Sequence, residues 1–131
     1  MNETSSKKKI LYVDDEPINL KIFEINFKDN YAVYTAEDGI TGLSILTENP
    51  DILIIISDMK MPRMTGIEFI EKAKAKFPDK KFYILTGFDI TDEIKAALEC
   101  GLILKYFSKP LDIHEMDAVM QEVIKDNKLD S

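Results

Sequence analysis

The sequence predicts an α/β fold: a doubly wound, five-stranded parallel sheet in strand order 2-1-3-4-5, flanked by five helices. Three observations predict it. Short apolar runs alternate five times with helix-length stretches, and such alternation builds a parallel sheet with right-handed crossovers. The third run, Ile52-Leu53-Ile54-Ile55-Ile56, is unbroken and mostly β-branched, as a central strand covered by helices on both faces requires. Polar residues stand directly after four of the runs. In this order the sheet reverses between strands one and three, and ligands bind outside the carboxyl ends at that reversal.

Each element carries its own marks. Ile10-Leu11-Tyr12-Val13, closed by acids, is strand one. Pro17 sits where a first helical turn tolerates proline. Tyr31–Thr35 is strand two, with Tyr and Val at strand-favouring positions. Asp38 stands before Gly39–Glu48 as its cap, and Asn49-Pro50 ends that helix. After strand three, Thr65-Gly66-Ile67-Glu68 has the spacing of a capping box, and Phe77-Pro78 closes the helix it opens. Phe82–Leu85 is strand four. The helix from Thr91 to Cys100 stops at Gly101, the residue suited to a left-handed C-terminal turn. Leu102–Phe107 is strand five, and Lys105 within it marks an edge. Asp112-Ile113-His114-Glu115 repeats the capping-box spacing and opens the last helix.

Composition narrows the function by exclusion. The 131 residues read as a single domain, 1–131, with 45% hydrophobic and 31% charged residues, ordinary for a globular chain. Net charge is −7, from 24 acids against 17 bases, and without a clustered basic face nucleic acid is a poor partner. Lys7-Lys8-Lys9 is read as a solvated leader into strand one. Cys100 is the single cysteine, which excludes an internal disulfide and a multi-cysteine zinc site. No run approaches the roughly 18–20 apolar residues of a membrane helix, and MNETSSKKK has no apolar stretch for a signal peptide. A reducing cytoplasm is the expected setting, with no membrane partner.

The chemistry gathers at the strand ends. Asp14 and Asp15 follow strand one, Asp58 follows strand three after Ser57, Thr86 follows strand four and Lys109 follows strand five. The predicted order brings these five to one edge. Three carboxylates that close repel one another, and a divalent cation with a taste for oxygen, Mg²⁺ above all, removes the conflict. Asp58 lies centrally, where it can act as a nucleophile and become an aspartyl phosphate. Lys109 and the metal would offset the added charge, and the Thr86 hydroxyl would donate to a phosphoryl oxygen.

LYVDDEP, IIISDMKMPRMTG, ILTG and YFSKP together resemble the response-regulator receiver domain of two-component signalling, the chemotaxis-regulator type. The resemblance covers about residues 8–127. Its specificity lies in the joint pattern: DD, D-x-x-M-P, a threonine 28 residues past the aspartate, and K-P 23 residues past that threonine. It implies the flavodoxin-like version of the predicted fold and a phosphoacceptor in a phosphorelay. Asp58 would accept a phosphoryl group from the phosphohistidine of a sensor histidine kinase or a histidine phosphotransfer protein. Asp15, Asp58 and the Lys60 backbone carbonyl would bind Mg²⁺, with Mn²⁺ as an alternative, and Asp14 would act largely through a bound water. Thr86 and Lys109 would contact the phosphoryl group. Lys109-Pro110 is normally cis in the family. Tyr106 stands at its aromatic switch position, coupled to Thr86, while Phe107 is read as plain core. Downstream output, to a partner or a second copy, would run through the face of helix four, strand five and helix five. The family is not enzymatic beyond its own phosphorylation and slow dephosphorylation. Lys60 and Phe88 occupy positions that tune that loss, and the bulky Phe88 predicts a slow one.

Helix one carries two apolar stripes, Leu20/Phe23/Phe27 and Ile18/Ile22/Ile25, nearly opposite at 100° per residue. The first matches the family's core positions. The Ile18/Ile22 side, beside the Lys109-Pro110-Leu111 loop, is where the family's histidine-bearing helices dock. The competing reading tucks Ile25 and Ile18 under neighbouring loops. His114, the only histidine, is expected on the surface, and Met59, Met61 and Met64 are expected to pack the loop after strand three. Two other functions fit less well. A haloacid-dehalogenase-like hydrolase wants an aspartate two residues after its nucleophile, where this chain has Lys60. A flavin binder wants a hydroxyl- and glycine-rich phosphate loop, where Asp14-Asp15-Glu16 would repel the phosphate. A third alternative is one of context, a receiver belonging to a larger hybrid kinase or regulator. Taken as full length, the chain is a regulator whose output is a binding surface.

Overall fold

The computed structural model describes residues 7–87 and 90–130. Its elements run β1 (Lys8–Val13), α1 (Pro17–Phe27), β2 (Tyr31–Ala36), α2 (Gly39–Glu48), β3 (Ile54–Asp58), α3 (Gly66–Lys76), β4 (Lys81–Thr86), α4 (Asp92–Glu99), β5 (Lys105–Ser108) and α5 (Ile113–Asp130). The strands pair in parallel in the order β2-β1-β3-β4-β5, so the predicted fold holds and β5 is an edge.

Strand alternation splits the core in two. Leu11, Val13, Ile55 and Ile84 face one side, where Leu46, Phe69, Ile70 and Ile94 of α2, α3 and α4 cover them. Ile10, Tyr12, Ile54, Ile56, Leu85 and Phe107 face the other, beneath Leu20, Phe23 and Phe27 of α1 and Met116 and Met120 of α5. Helix α1 buries only one of its stripes. Ile18, Ile22 and Ile25 are 67%, 49% and 57% exposed, so none of the described loops covers them.

The caps work as the sequence predicts. Asp38 accepts from the Thr41 amide at 2.7 Å, which holds its carboxyl below the usual range. Thr65 and Glu68 form both halves of a capping box. Asp112 accepts from the Glu115 amide at 3.0 Å, while the Glu115 carboxylate lies 3.6 Å from Lys105. At the end of α4, Gly101 takes φ +81°, and the amides of Leu102 and Gly101 donate to the carbonyls of Ala97 and Leu98. That closure corrects the start of strand five: Leu102 and Ile103 finish the helix, and β5 begins at Lys105. Strand three shifts likewise. Ile52 donates to Asn49 in a turn, and the ladder against β4 runs on through Ser57 and Asp58. Asp58 and Thr86 are therefore the last residues of their strands, not residues after them. Lys8 and Lys9 pair with Tyr31 and Ala32 of β2, so the basic run is strand rather than leader from its second lysine.

Candidate functional site

Each site residue is placed by the end of a strand. Asp14 follows β1, and its amide extends the ladder to the Ala36 carbonyl at 3.1 Å. Its side chain is 0% exposed. Four donors converge on it: the Glu16 amide on Oδ1 at 2.9 Å, and on Oδ2 the Tyr12 hydroxyl at 2.6 Å, Asn19 Nδ2 at 3.3 Å and Lys109 Nζ at 3.3 Å. Burying a carboxylate is tolerable only with such partners.

Asp58 ends β3 opposite Leu85 of β4. Its Oδ1 accepts from the Met59 amide at 2.9 Å and lies 3.5 Å from Lys109 Nζ. Burial pushes its carboxyl above the usual range, and nearby Asp14 adds to that, while Lys109 and the Met59 amide oppose it. Asp15 is half-buried, and one carboxylate oxygen each from Asp14, Asp15 and Asp58 lies within 4.8 Å of the others. Lys60 is exposed two residues beyond Asp58. Thr86 is fully buried and pairs with Ser108 of β5. The next residue, Lys109, donates its amide to the Thr86 carbonyl at 2.8 Å, and a cis peptide joins it to Pro110. Asp14, Asp15, Asp58, Thr86 and Lys109 thus reach one edge.

The donor set fits a divalent cation. It offers hard oxygen ligands from three close acids, two of which share the Lys109 ammonium. His114 is exposed in the first turn of α5. Met59 is buried, and Met61 and Met64 pack against the α2–α4 core. Tyr106 pairs with Ile84, so Tyr106, Ile84 and Thr86 share one sheet face, while Phe107 is buried on the other. Phe88 lies outside the described residues.

Three residues of the site were not found by reading the sequence. Tyr12 and Asn19 hold Asp14; Tyr12 stands two residues before it in the same strand direction, a period-two signal that could have found it. Gly66 has a backbone reason to be glycine. A Cβ there would sit 2.2 Å from the Asp58 carbonyl oxygen, and the Gly66 amide bonds the Met59 carbonyl at 2.8 Å.

A five-stranded receiver-type sheet with three acids and a lysine at its switch point defines a class, and the comparison with known families agrees. The response regulator receiver domain model matches residues 10–121, and the chain belongs to that family. It is 38% identical over 114 residues to the sporulation initiation phosphotransferase F of Bacillus subtilis, covering 85% of this chain and 90% of that one. It is 28% identical over 120 residues to a chemotaxis protein CheY homolog of Campylobacter jejuni, covering 88% and 92%. Among solved structures, a response regulator receiver domain protein from Clostridium thermocellum superposes with a TM-score of 0.87 at 32% identity, over 95% of this chain and 99% of that one. The chain is a phosphoacceptor receiver domain of two-component signalling. Among the described residues, no helix is long and apolar enough to cross a membrane.

Proposed function

We propose that Asp58 is the phosphoryl acceptor, loaded from the phosphohistidine of a sensor histidine kinase or a histidine phosphotransfer protein in the cytoplasm. The observation that carries this is the placement of Lys109, 3.3 Å from Asp14 and 3.5 Å from Asp58, beside the acid cluster. An Asp58 oxygen attacks phosphorus, the bond from phosphorus to the donor nitrogen breaks, and the electron pair leaves with the imidazole. Lys109 follows the charge onto the phosphoryl oxygens, and the Thr86 hydroxyl turns to donate to them. Mg²⁺, or Mn²⁺ in its place, would be held by Asp15, Asp58 and the Lys60 carbonyl, with Asp14 acting through water; when bound it supplies positive charge against the acids and the phosphoryl group. The domain acts on no other substrate and loses its own phosphoryl group slowly.

Two clefts fit the two partners. One, about 270 Å³, lies between α1 and the loop after β5, lined by Asn19, Ile22, Asn26, Lys109, Pro110 and Leu111. With Ile18 of the same helix also exposed, this cleft suits the apolar side of a histidine-bearing helix. The other, about 440 Å³, is lined by Leu98, Leu104, Tyr106 and Glu115 on the α4-β5-α5 face. When Thr86 turns toward the phosphoryl group, the half-buried Tyr106 ring moves into the space behind it and reshapes that face for a downstream protein or a second copy.

Intact mass after incubation with a small phosphodonor tests the acceptor. Wild type with Mg²⁺ gains one phosphoryl group; EDTA or Asp58→Asn prevents the gain, and undiminished modification of Asp58→Asn sinks the assignment. In the same assay Ile22→Asp keeps its response to the small donor and loses transfer from a cognate kinase; an equal loss of both removes the docking reading.

A further inference from the structure

The receiver reading assigns no role to Tyr12. The residue is 2% exposed on the α1–α5 side of the sheet, its ring stacked on Phe23 at 4.5 Å. Its nearest buried strand neighbours on that face, Ile10 of β1 and Ile54 and Ile56 of β3, are aliphatic, with the aromatic Tyr83 and Phe107 farther across the sheet, and an aliphatic side chain would fill such a place without a polar atom to satisfy. A buried hydroxyl is costly unless it has a partner, and the partner here is Asp14 Oδ2 at 2.6 Å.

That oxygen is crowded. A carboxylate oxygen offers about two lone pairs, yet Oδ2 receives Tyr12, Asn19 and Lys109. The phenol is the short contact. The other two stand at 3.3 Å, longer than the roughly 2.7–2.9 Å of a charge-assisted bond. Lys109 is left at almost equal distance from Asp14 and Asp58, 3.3 and 3.5 Å, closed onto neither.

We infer that Tyr12 is a positioning residue of the acceptor site: its hydroxyl occupies Asp14 Oδ2 and so keeps Lys109 shared between Asp14 and Asp58, free to follow an incoming phosphoryl group. This rests on Asp58 as the acceptor. Without the hydroxyl, Lys109 takes the vacated lone pair and closes on Asp14. Asp58, a direct ligand in the metal reading, then loses the ammonium now 3.5 Å away, which leaves its oxygens more attractive to a cation. The two effects have opposite signs. Cation binding tightens while phosphoryl acceptance slows.

Tyr12→Phe isolates the oxygen, because the ring and its stack on Phe23 stay. Calorimetric titration of the unphosphorylated protein with Mg²⁺ should show binding tightened about threefold, and the rate of modification by a small phosphodonor at saturating Mg²⁺ should fall about fivefold, each a fraction of a full charge-assisted bond. Both falling together is the signature of a merely structural role and overturns the inference, as does neither moving. If Tyr12→Phe does not fold, Asn19→Ala decides: it removes a longer donor from the same oxygen and should shift both quantities in the same directions by smaller factors, and no shift overturns the inference. If wild type accepts no phosphoryl group, the acceptor reading fails on its own, and the Mg²⁺ titration still reads Tyr12.

Discussion

The two edges of the sheet are built on opposite electrostatic plans. At the amino edge two lysines have their acceptors. Lys9 meets Asp51 at 2.8 Å, and Lys80, only 8% exposed, donates to the carbonyls of Pro50 and Ile52 with the Phe77 ring 5.2 Å away. At the carboxyl edge three carboxylates crowd together, two of them sharing the Lys109 ammonium, and burial holds the Asp58 carboxyl above its usual range. The first edge closes the ends of loops. The second keeps like charges together until a cation and a phosphoryl group arrive. The same parallel strands supply both, and conflict of this kind concentrates where function is.

The largest change expected breaks the carboxyl edge itself. Gly66→Ala drives a methyl group into the Asp58 carbonyl, displacing the loop that carries the acceptor. It should cost about 3 kcal/mol in urea unfolding and abolish phosphorylation. Next comes the amino edge. Lys80→Met removes both donors from the Pro50 and Ile52 carbonyls, and about 2 kcal/mol of stability should be lost. Phosphoryl acceptance should stay at the wild-type rate, because the change lies at the far end of β3 and β4; a slowed rate would mean that the two edges are not independent.

The smallest change sharpens the contrast by running the other way. Asp58→Asn removes a buried like charge, so the metal-free variant should melt about 3–5 °C above wild type. The pH dependence has a definite sign. The Asp58 carboxyl titrates higher in the fold than in the unfolded chain, so its charge opposes folding in full above the raised pKa. That cost is relieved as pH falls through the raised value and is gone below the unfolded one. Melting curves from about pH 7 down to about pH 4 should show the gap between Asp58→Asn and wild type closing toward acid. A constant gap would locate the strain elsewhere.

The sheet order and the five edge residues were legible because four of the apolar runs end at polar residues, and the caps were legible because capping is local. The boundaries of strands three and five were not. Ile52 and Leu102 are as apolar as their neighbours, and what removes them from the ladder is backbone bonding to Asn49 and Ala97, which side-chain type does not encode. Lys80 was missed because a lysine pair before a strand reads as solvated, and its partners are carbonyls 28 and 30 residues away. Tyr12 was read as strand filling because nothing in composition separates a packed tyrosine from one whose hydroxyl reaches an acid.

The order β2-β1-β3-β4-β5 also bears on how the chain is made. Synthesised from its amino end, β1 finds β2 once residue 36 has emerged, but its other edge waits for residues 54–58. Through that interval Ile10-Leu11-Tyr12-Val13 carries an open row of amides and carbonyls beside an apolar surface, with Ile54-Ile55-Ile56 its only proper complement. Two nascent chains at this stage hold the same unfilled edge, the arrangement most prone to pairing between copies. A ribosome-bound fragment ending near residue 50 should therefore aggregate or recruit a chaperone, and one extended past β4 should not.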